Sequence, residues 1–210
     1  MARESRKIAV IGAGTMGAGI AQICAQAGWK TNLYDAFPES LERGMNAIDA
    51  FWDKGIARGK TTTEQKTEWS ANLQAITDME EAVKDADLVI EAVPEIPDLK
   101  HKIFTDLGHM TKHDCILGTN TSSLSIADIA AASGRPEKVI GMHFFNPVPI
   151  MKLLELIKHD ECSDATIAAA TAAGDAMGKT TILVKDVPGF ATSRLGVVLG
   201  SGGIGVGGGD

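Results

Sequence analysis

Two groups of residues in this sequence could do chemistry together. Gly12, Gly14 and Gly17 stand in G-x-G-x-x-G spacing, and Asp35 follows the last of them by 18 residues (35 − 17). His143 is the second group's base, with the carboxylate of Glu155 placed 12 residues later (155 − 143). The glycines suit a phosphate. Gly12 lets a chain turn sharply out of a strand, Gly14 removes a Cβ so that a pyrophosphate can reach the backbone, and Gly17 lets the following helix pack close to a sheet. An acid roughly 20 residues on binds a ribose 2′-hydroxyl. A carboxylate at Asp35 would repel a 2′-phosphate, so the pattern favours NAD over NADP. A histidine held by a carboxylate is a proton-transfer pair, the acid orienting the ring and stabilising its charged form. Beside a nicotinamide, such a histidine takes the proton of a hydroxyl whose carbon gives up hydride.

A glycine triplet alone is weak evidence, and its context makes it strong. Ile8 to Ile11 is an apolar β-branched run that reads as a buried strand. Met16 to Ala27 is a small-residue helical pattern ended by Gly28, and Thr31 to Tyr34 is a second strand that closes on Asp35. Pro38 to Arg58 reads as a long helix, and Thr61 to Glu64 as the N-cap region of another that runs to Trp69. Together they form a helical hairpin, over about residues 38–70, that is longer than a crossover needs. Further strands are expected at Leu73–Thr77, Asp87–Val93, Ile116–Gly118, Val139–Met142, Leu153–Ile157 and Thr180–Val184. Helices are expected at Pro97–Thr111, after Ser125, and at Asp164–Met177. Such alternation implies an α/β, Rossmann-like, doubly wound sheet, mostly parallel, with the last strands as a mixed edge. Ligands of that fold sit beyond the carboxyl ends of the strands. Three polar sets fall there: Glu91 to Glu95, Asn120 to Ser123, and His143 to Asn146. A hairpin-like reversal after the last set would bring Glu155 back to His143.

Blander readings stand beside these. The glycines could form a turn with no ligand, His143 could be a hydrogen-bonded structural residue, and Glu155 could face water on an edge strand. Asn120 and Ser122 could cap the next helix, and Glu95 and Lys100 could be solvated charges at a helix start. His101, His109, His113 and His159 lie among polar residues without metal-like spacing and read as surface histidines; no metal is expected.

Composition sets outer limits. The 210 residues carry a net charge of −7 and a pI near 5.2, which gives a nucleic-acid role no electrostatic support. No apolar run approaches the roughly 18 residues of a membrane span. Cys24, Cys115 and Cys162 are odd in number and far apart, and Cys24 and Cys115 read as buried thiols of a reducing, cytoplasmic setting. Residues 1–199 are expected as one nucleotide-binding domain, and the glycine-rich stretch 200–210 cannot form a core.

GAGTMGAGIAQ, EAVPE with Lys100 beyond it, TNTSSL, GMHFFNPVPIMKLLELI and KDVPGF, in this order, resemble the (L)-3-hydroxyacyl-CoA dehydrogenase family, nearest its bacterial 3-hydroxybutyryl-CoA type. The likeness runs from about residue 5 to residue 199. It implies oxidation of the 3-hydroxyl of an acyl-CoA to a ketone with NAD, in β-oxidation or the reverse direction. By resemblance His143 is the catalytic base, Glu155 orients it, Ser122 bonds the substrate oxygen and Asn146 positions it. Gly14, Thr15, Met16, Gly17, Ala18 and Gly19 would cover the pyrophosphate and Asp35 the adenosine ribose. Ala92, Glu95 and Lys100 would be further cofactor contacts, with Asn120 on the nicotinamide side. The hairpin would hold the CoA, Arg58 being the best match to its basic contact and Lys54 and Lys60 close by. Ser193 stands where many members carry an asparagine near the substrate. The family adds a helical domain that forms its dimer interface and part of the substrate cleft. Without it, catalysis is expected to be weakened or lost unless another chain supplies that surface, and a monomer is left open. Two alternatives remain: a non-catalytic NAD-binding module, and a sugar-acid dehydrogenase that shares the His–Glu pair but lacks a basic hairpin.

Overall fold

The structure is a computed structural model and describes residues 6–186. The expected turn through 187–190, Ser193, the apolar run 195–199 and the tail 200–210 lie outside the described residues.

The chain opens with β1 (Lys7–Ile11), α1 (Thr15–Gln26) and β2 (Lys30–Tyr34), then α2 (Pro38–Ala57), α3 (Thr63–Ser70) and β3 (Leu73–Ile76). After α4 (Met79–Val83) come β4 (Leu88–Glu91), α5 (Pro97–Met110), β5 (Ile116–Thr119), α6 (Ile126–Ala132) and β6 (Val139–Phe144). The last elements are β7 (Leu153–Lys158), α7 (Asp164–Ala176) and β8 (Thr180–Lys185). All eight strands join one sheet in the order β3-β2-β1-β4-β5-β6-β7-β8. The first six are parallel, β7 runs antiparallel to β6, and β8 is parallel to β7. The doubly wound sheet with a mixed edge is therefore present. Strand order reverses between β1 and β4, which opens a crevice at their carboxyl ends.

Alternation within the strands builds a core on each face. In β1, Ile8 and Val10 join Ile20, Leu33, Trp52 and Ile90 on the α1 side, whereas Ala9 and Ile11 join Val89, Phe104, Leu107 and Leu117 on the α5 side. Each Val, Leu, Ile or Phe among them contributes about 1.5–3 kcal/mol by leaving water.

The tightest packing lies where β1 passes into α1. Gly12 has φ of +100°, and a Cβ there would stand 2.8 Å from the Ala92 carbonyl oxygen. A Cβ on Gly17 would lie 1.7 Å from the Gly12 carbonyl oxygen. Only glycine at both places lets the helix end press onto the strand turn. The helical hairpin packs along α1, with Leu41, Gly44, Ile48 and Trp52 buried. It is closed by Thr62 and Gln65, which cap α3 reciprocally, by Lys66 bridging Asp49 and Asp53, and by Trp52 packed on Trp69 at 5.8 Å.

Several local expectations need correction. β6 runs two residues beyond Met142, so His143 lies inside the strand, not after it. Pairing with β7 carries the ladder through Phe144. Helix α4 has only five residues, too few for a periodic signal, and is marked mainly by its Asp78 cap. His159 is buried, only 5% exposed, with Nε2 at 3.1 Å from the Val139 carbonyl oxygen. It follows the end of β7, which the antiparallel pairing tucks beside the start of β6. Lys100 is also buried, on the inner side of α5 between the partly buried Leu99 and the buried Ile103.

Gly17→Ala is expected to lower the unfolding free energy by at least about 1–3 kcal/mol, measured by urea denaturation. Since the strain falls on the Gly12 turn, NADH affinity should fall with it.

Candidate active site

A cavity of about 1130 Å³ opens along the carboxyl edge of the sheet over the β1–β4 switch point. Its walls contain Gly12, Gly14, Thr15, Met16, Asp35, Ala92, Glu95, Asn120, Ser122, His143 and Asn146. Eleven residues singled out from the sequence are thereby brought to one surface. Gly17, Ala18 and Gly19 are buried beneath it in α1, and Lys100 and Glu155 stand behind it, each fully buried. Arg58, Lys54 and Lys60 are exposed at the far end of α2 and do not line the cavity.

The dinucleotide end has the features a pyrophosphate needs. Helix α1 begins without a side-chain cap and without an acidic residue in its first turn, so its leading N–H groups and dipole are available to an anion. A Cβ on Gly14 would meet nothing within 4 Å, which puts open space against that backbone. Asp35 is tied into the glycine turn: one carboxylate oxygen accepts from the Ala13 amide at 2.8 Å, and the other from the Phe37 amide at 2.9 Å. This chain's own groups therefore fit NAD. Phe37 and Ile96, exposed by 68% and 52%, add apolar walls. Sequence reading missed both, because each occupies a helix N-cap where a polar residue is usual.

At the other end, the β6–β7 register sets His143 directly opposite Glu155. The His143 Nδ1 lies 2.7 Å from the Glu155 Oε2, the carboxylate is fully buried, and the Phe145 ring packs 4.5 Å from the imidazole. With Nδ1–H donating to that carboxylate, the neutral ring carries its acceptor lone pair on Nε2. The Asn120 side chain accepts from the Phe144 amide at 3.0 Å, tying the end of β5 to the strand that carries His143.

Between the two ends lies a charged network. Glu91, at the end of β4, accepts from Lys100 Nζ at 2.7 and 3.0 Å, from Thr119 at 2.6 Å and from the Val93 amide at 2.7 Å. Burial pushes the Glu91 carboxyl up, against the pull of Lys100 and those donors. Lys100 also reaches Glu95 at 3.4 Å. Glu95 accepts in turn from the Thr121 hydroxyl, the Ser122 amide at 3.1 Å and Ser123 at 3.4 Å. Partial burial raises the Glu95 carboxyl, but Thr121, Lys100 and the Ser122 amide together outweigh it and hold it below the ordinary glutamate range. Glu91 and Thr119 were legible only as strand-end residues; a glutamate closing an apolar strand is the one signal that a buried cation must lie nearby.

Residues 7–187 match the sequence model of the 3-hydroxyacyl-CoA dehydrogenase NAD-binding domain. A probable 3-hydroxyacyl-CoA dehydrogenase of Caenorhabditis elegans is 41% identical over 194 residues, covering 90% of this chain and 65% of its own. A probable 3-hydroxybutyryl-CoA dehydrogenase of Deinococcus radiodurans is 41% identical over 189 residues, with 90% and 67% covered. The chain thus spans about two thirds of the length of these relatives. Among solved structures, the (S)-3-hydroxybutyryl-CoA dehydrogenase of Ralstonia eutropha superposes with a TM-score of 0.89 at 37% identity, over 96% of this chain and 74% of that one.

A carboxylate whose pKa is lowered on folding contributes stability that is fully present above its unfolded value, near 4.3, and is lost as pH falls through the folded value. Amide exchange at Ser122 should therefore quicken relative to the sheet core as pH drops below that range. In Glu95→Gln this acid-dependent step should disappear.

Proposed function

Since the chain belongs to the 3-hydroxyacyl-CoA dehydrogenase family, we propose that it interconverts (S)-3-hydroxyacyl-CoA and 3-oxoacyl-CoA with NAD. The observation that carries this reading is the His143–Glu155 pair at the mouth of the NAD cavity, within one wall that also holds Ser122 and Asn146. Bound NAD supplies the hydride acceptor in oxidation and the donor in reduction.

The remaining work falls to the chain's own residues. His143 takes the hydroxyl proton at Nε2 as the alcohol becomes a ketone, and returns it in the reverse direction. Glu155 keeps Nδ1 protonated and stabilises the imidazolium formed in that step. Ser122 donates to the substrate oxygen, and Asn146 holds the acyl group beside it. Asp35 selects NAD: a 2′-phosphate would have to approach a carboxylate already fixed by two backbone amides. Arg58, Lys54 and Lys60 form the basic end of the hairpin and meet the CoA phosphates as exposed cations. The cysteines among the described residues are all unpaired, which supports a reducing compartment such as the cytoplasm.

The test is consumption of NADH with acetoacetyl-CoA, with NADPH alongside. Turnover, weaker than that of a relative carrying the helical domain, is expected with NADH and not with NADPH; NADH binding without turnover would favour the NAD-binding-module alternative. Replacing Arg58, Lys54 and Lys60 by alanine should weaken acetoacetyl-CoA binding without changing NADH affinity. A chain that turns over free 3-oxo acids as readily as their CoA esters would contradict this substrate class and favour the sugar-acid alternative.

A further inference from the structure

We propose that Glu91 is a positioning residue for the cofactor site, which acts through Lys100 to hold Glu95 and the Ser122 backbone at the cavity mouth. The inference rests on the dehydrogenase reading for its link to turnover, but not for its link to cofactor binding.

Lys100 is an unusual place for a cation. Its side chain is fully buried and so is that of Glu91. Its ammonium group is taken up by Glu91 at 2.7 Å, Glu95 at 3.4 Å and the Asn120 carbonyl oxygen at 3.4 Å. It stands against Glu95 and Asn120, both of which line the cavity. Those groups come from two adjacent connections at the sheet's carboxyl edge. Glu91 ends β4, Glu95 lies in the β4–α5 loop, and Asn120 follows β5, its side chain in turn holding the Phe144 amide next to His143.

Glu91 is the fixed point of this arrangement. It accepts from Thr119 and the Val93 amide as well as from Lys100, so its carboxylate is anchored to two neighbouring strand ends and cannot turn. Glu95 has no such anchor in the sheet. It is 35% exposed, and its place against the Ser122 amide depends on the loop groups it binds and on Lys100 behind it. Replacing a buried ion pair by apolar residues of similar size is often neutral or stabilising. Stability alone therefore does not account for two full charges in this interior. Orientation of a half-exposed carboxylate beside the cofactor does.

The experiment compares NADH affinity, by fluorescence titration, with thermal unfolding in Glu91→Gln, Glu91→Gln/Lys100→Met and Thr119→Val. Glu91→Gln leaves a buried cation short of its partner and should lower the thermal midpoint and weaken NADH binding. The double variant removes both charges and should regain most of the lost midpoint, yet still bind NADH about tenfold more weakly, the scale of one lost charge-assisted contact. Thr119→Val keeps both charges and takes one anchor from Glu91; it should fold and bind NADH more weakly than wild type. Wild-type NADH affinity in Thr119→Val, which leaves Lys100 in place, would overturn the proposal, as would wild-type affinity in the double variant. Failure of the dehydrogenase reading would show separately, as wild-type protein that binds NADH but does not reduce acetoacetyl-CoA.

Discussion

The antiparallel turn between β6 and β7 is the constraint on which the reactive end of the cleft depends. In a parallel sheet every strand delivers its last residues to the same edge, and two facing side chains from adjacent strands come from similar depths. Reversing one strand lets a residue near the end of β6 face one near the start of β7, as His143 and Glu155 do. That register is not adjustable. Met142, Phe144, Leu154 and Leu156 occupy the opposite face and are buried in the α1-side core. A slip of one residue would turn all four outward and carry His143 and Glu155 into the hydrophobic layer. Hydrophobic burial on one face thus fixes a polar pair on the other.

Two fully buried glutamates, Glu91 and Glu155, stand at the same edge of the sheet, and each is matched differently. Glu155 faces an imidazole, a group with one donor and one acceptor nitrogen when neutral, whereas Glu91 faces an ammonium group that only donates. The first suits proton transfer and the second suits a rigid frame. Asp35 repeats the second pattern with backbone donors, its carboxylate closing the glycine turn. The carboxylates at this edge are therefore matched by partners that strand order sets, and the N-terminus of helix α1 adds a positive end beside them.

Much of this was readable from residue order. The glycine spacing, the strand before it and the acid after it follow from rules that act over a few residues, and each appears where expected. The 12-residue spacing (155 − 143) and the strand expected at Leu153–Ile157 were enough to raise a hairpin-like reversal that returns Glu155 to His143. What remained hidden depends on contacts across the fold. Lys100 sits among Leu99, Ile103 and Phe104 in a helix whose charged residues mostly face water, and nothing local distinguishes it from Lys102, which pairs with Asp106 at the surface. Its burial is decided by Glu91, nine residues earlier on another element. His159 likewise reads as polar from its neighbours and is buried because β7 ends beside the start of β6. A charge or an imidazole is hidden by partners that sequence spacing does not bring together.

The measurement that bears most directly on this account is steady-state reduction of acetoacetyl-CoA by His143→Ala, set against its NADH dissociation constant. If His143 moves the proton, turnover falls by about 10²–10⁴-fold while NADH binds as in the wild type, because the dinucleotide end of the cavity is built from other strands. Turnover at the wild-type rate in His143→Ala would place the acid–base group elsewhere and contradict the assignment of the His143–Glu155 pair.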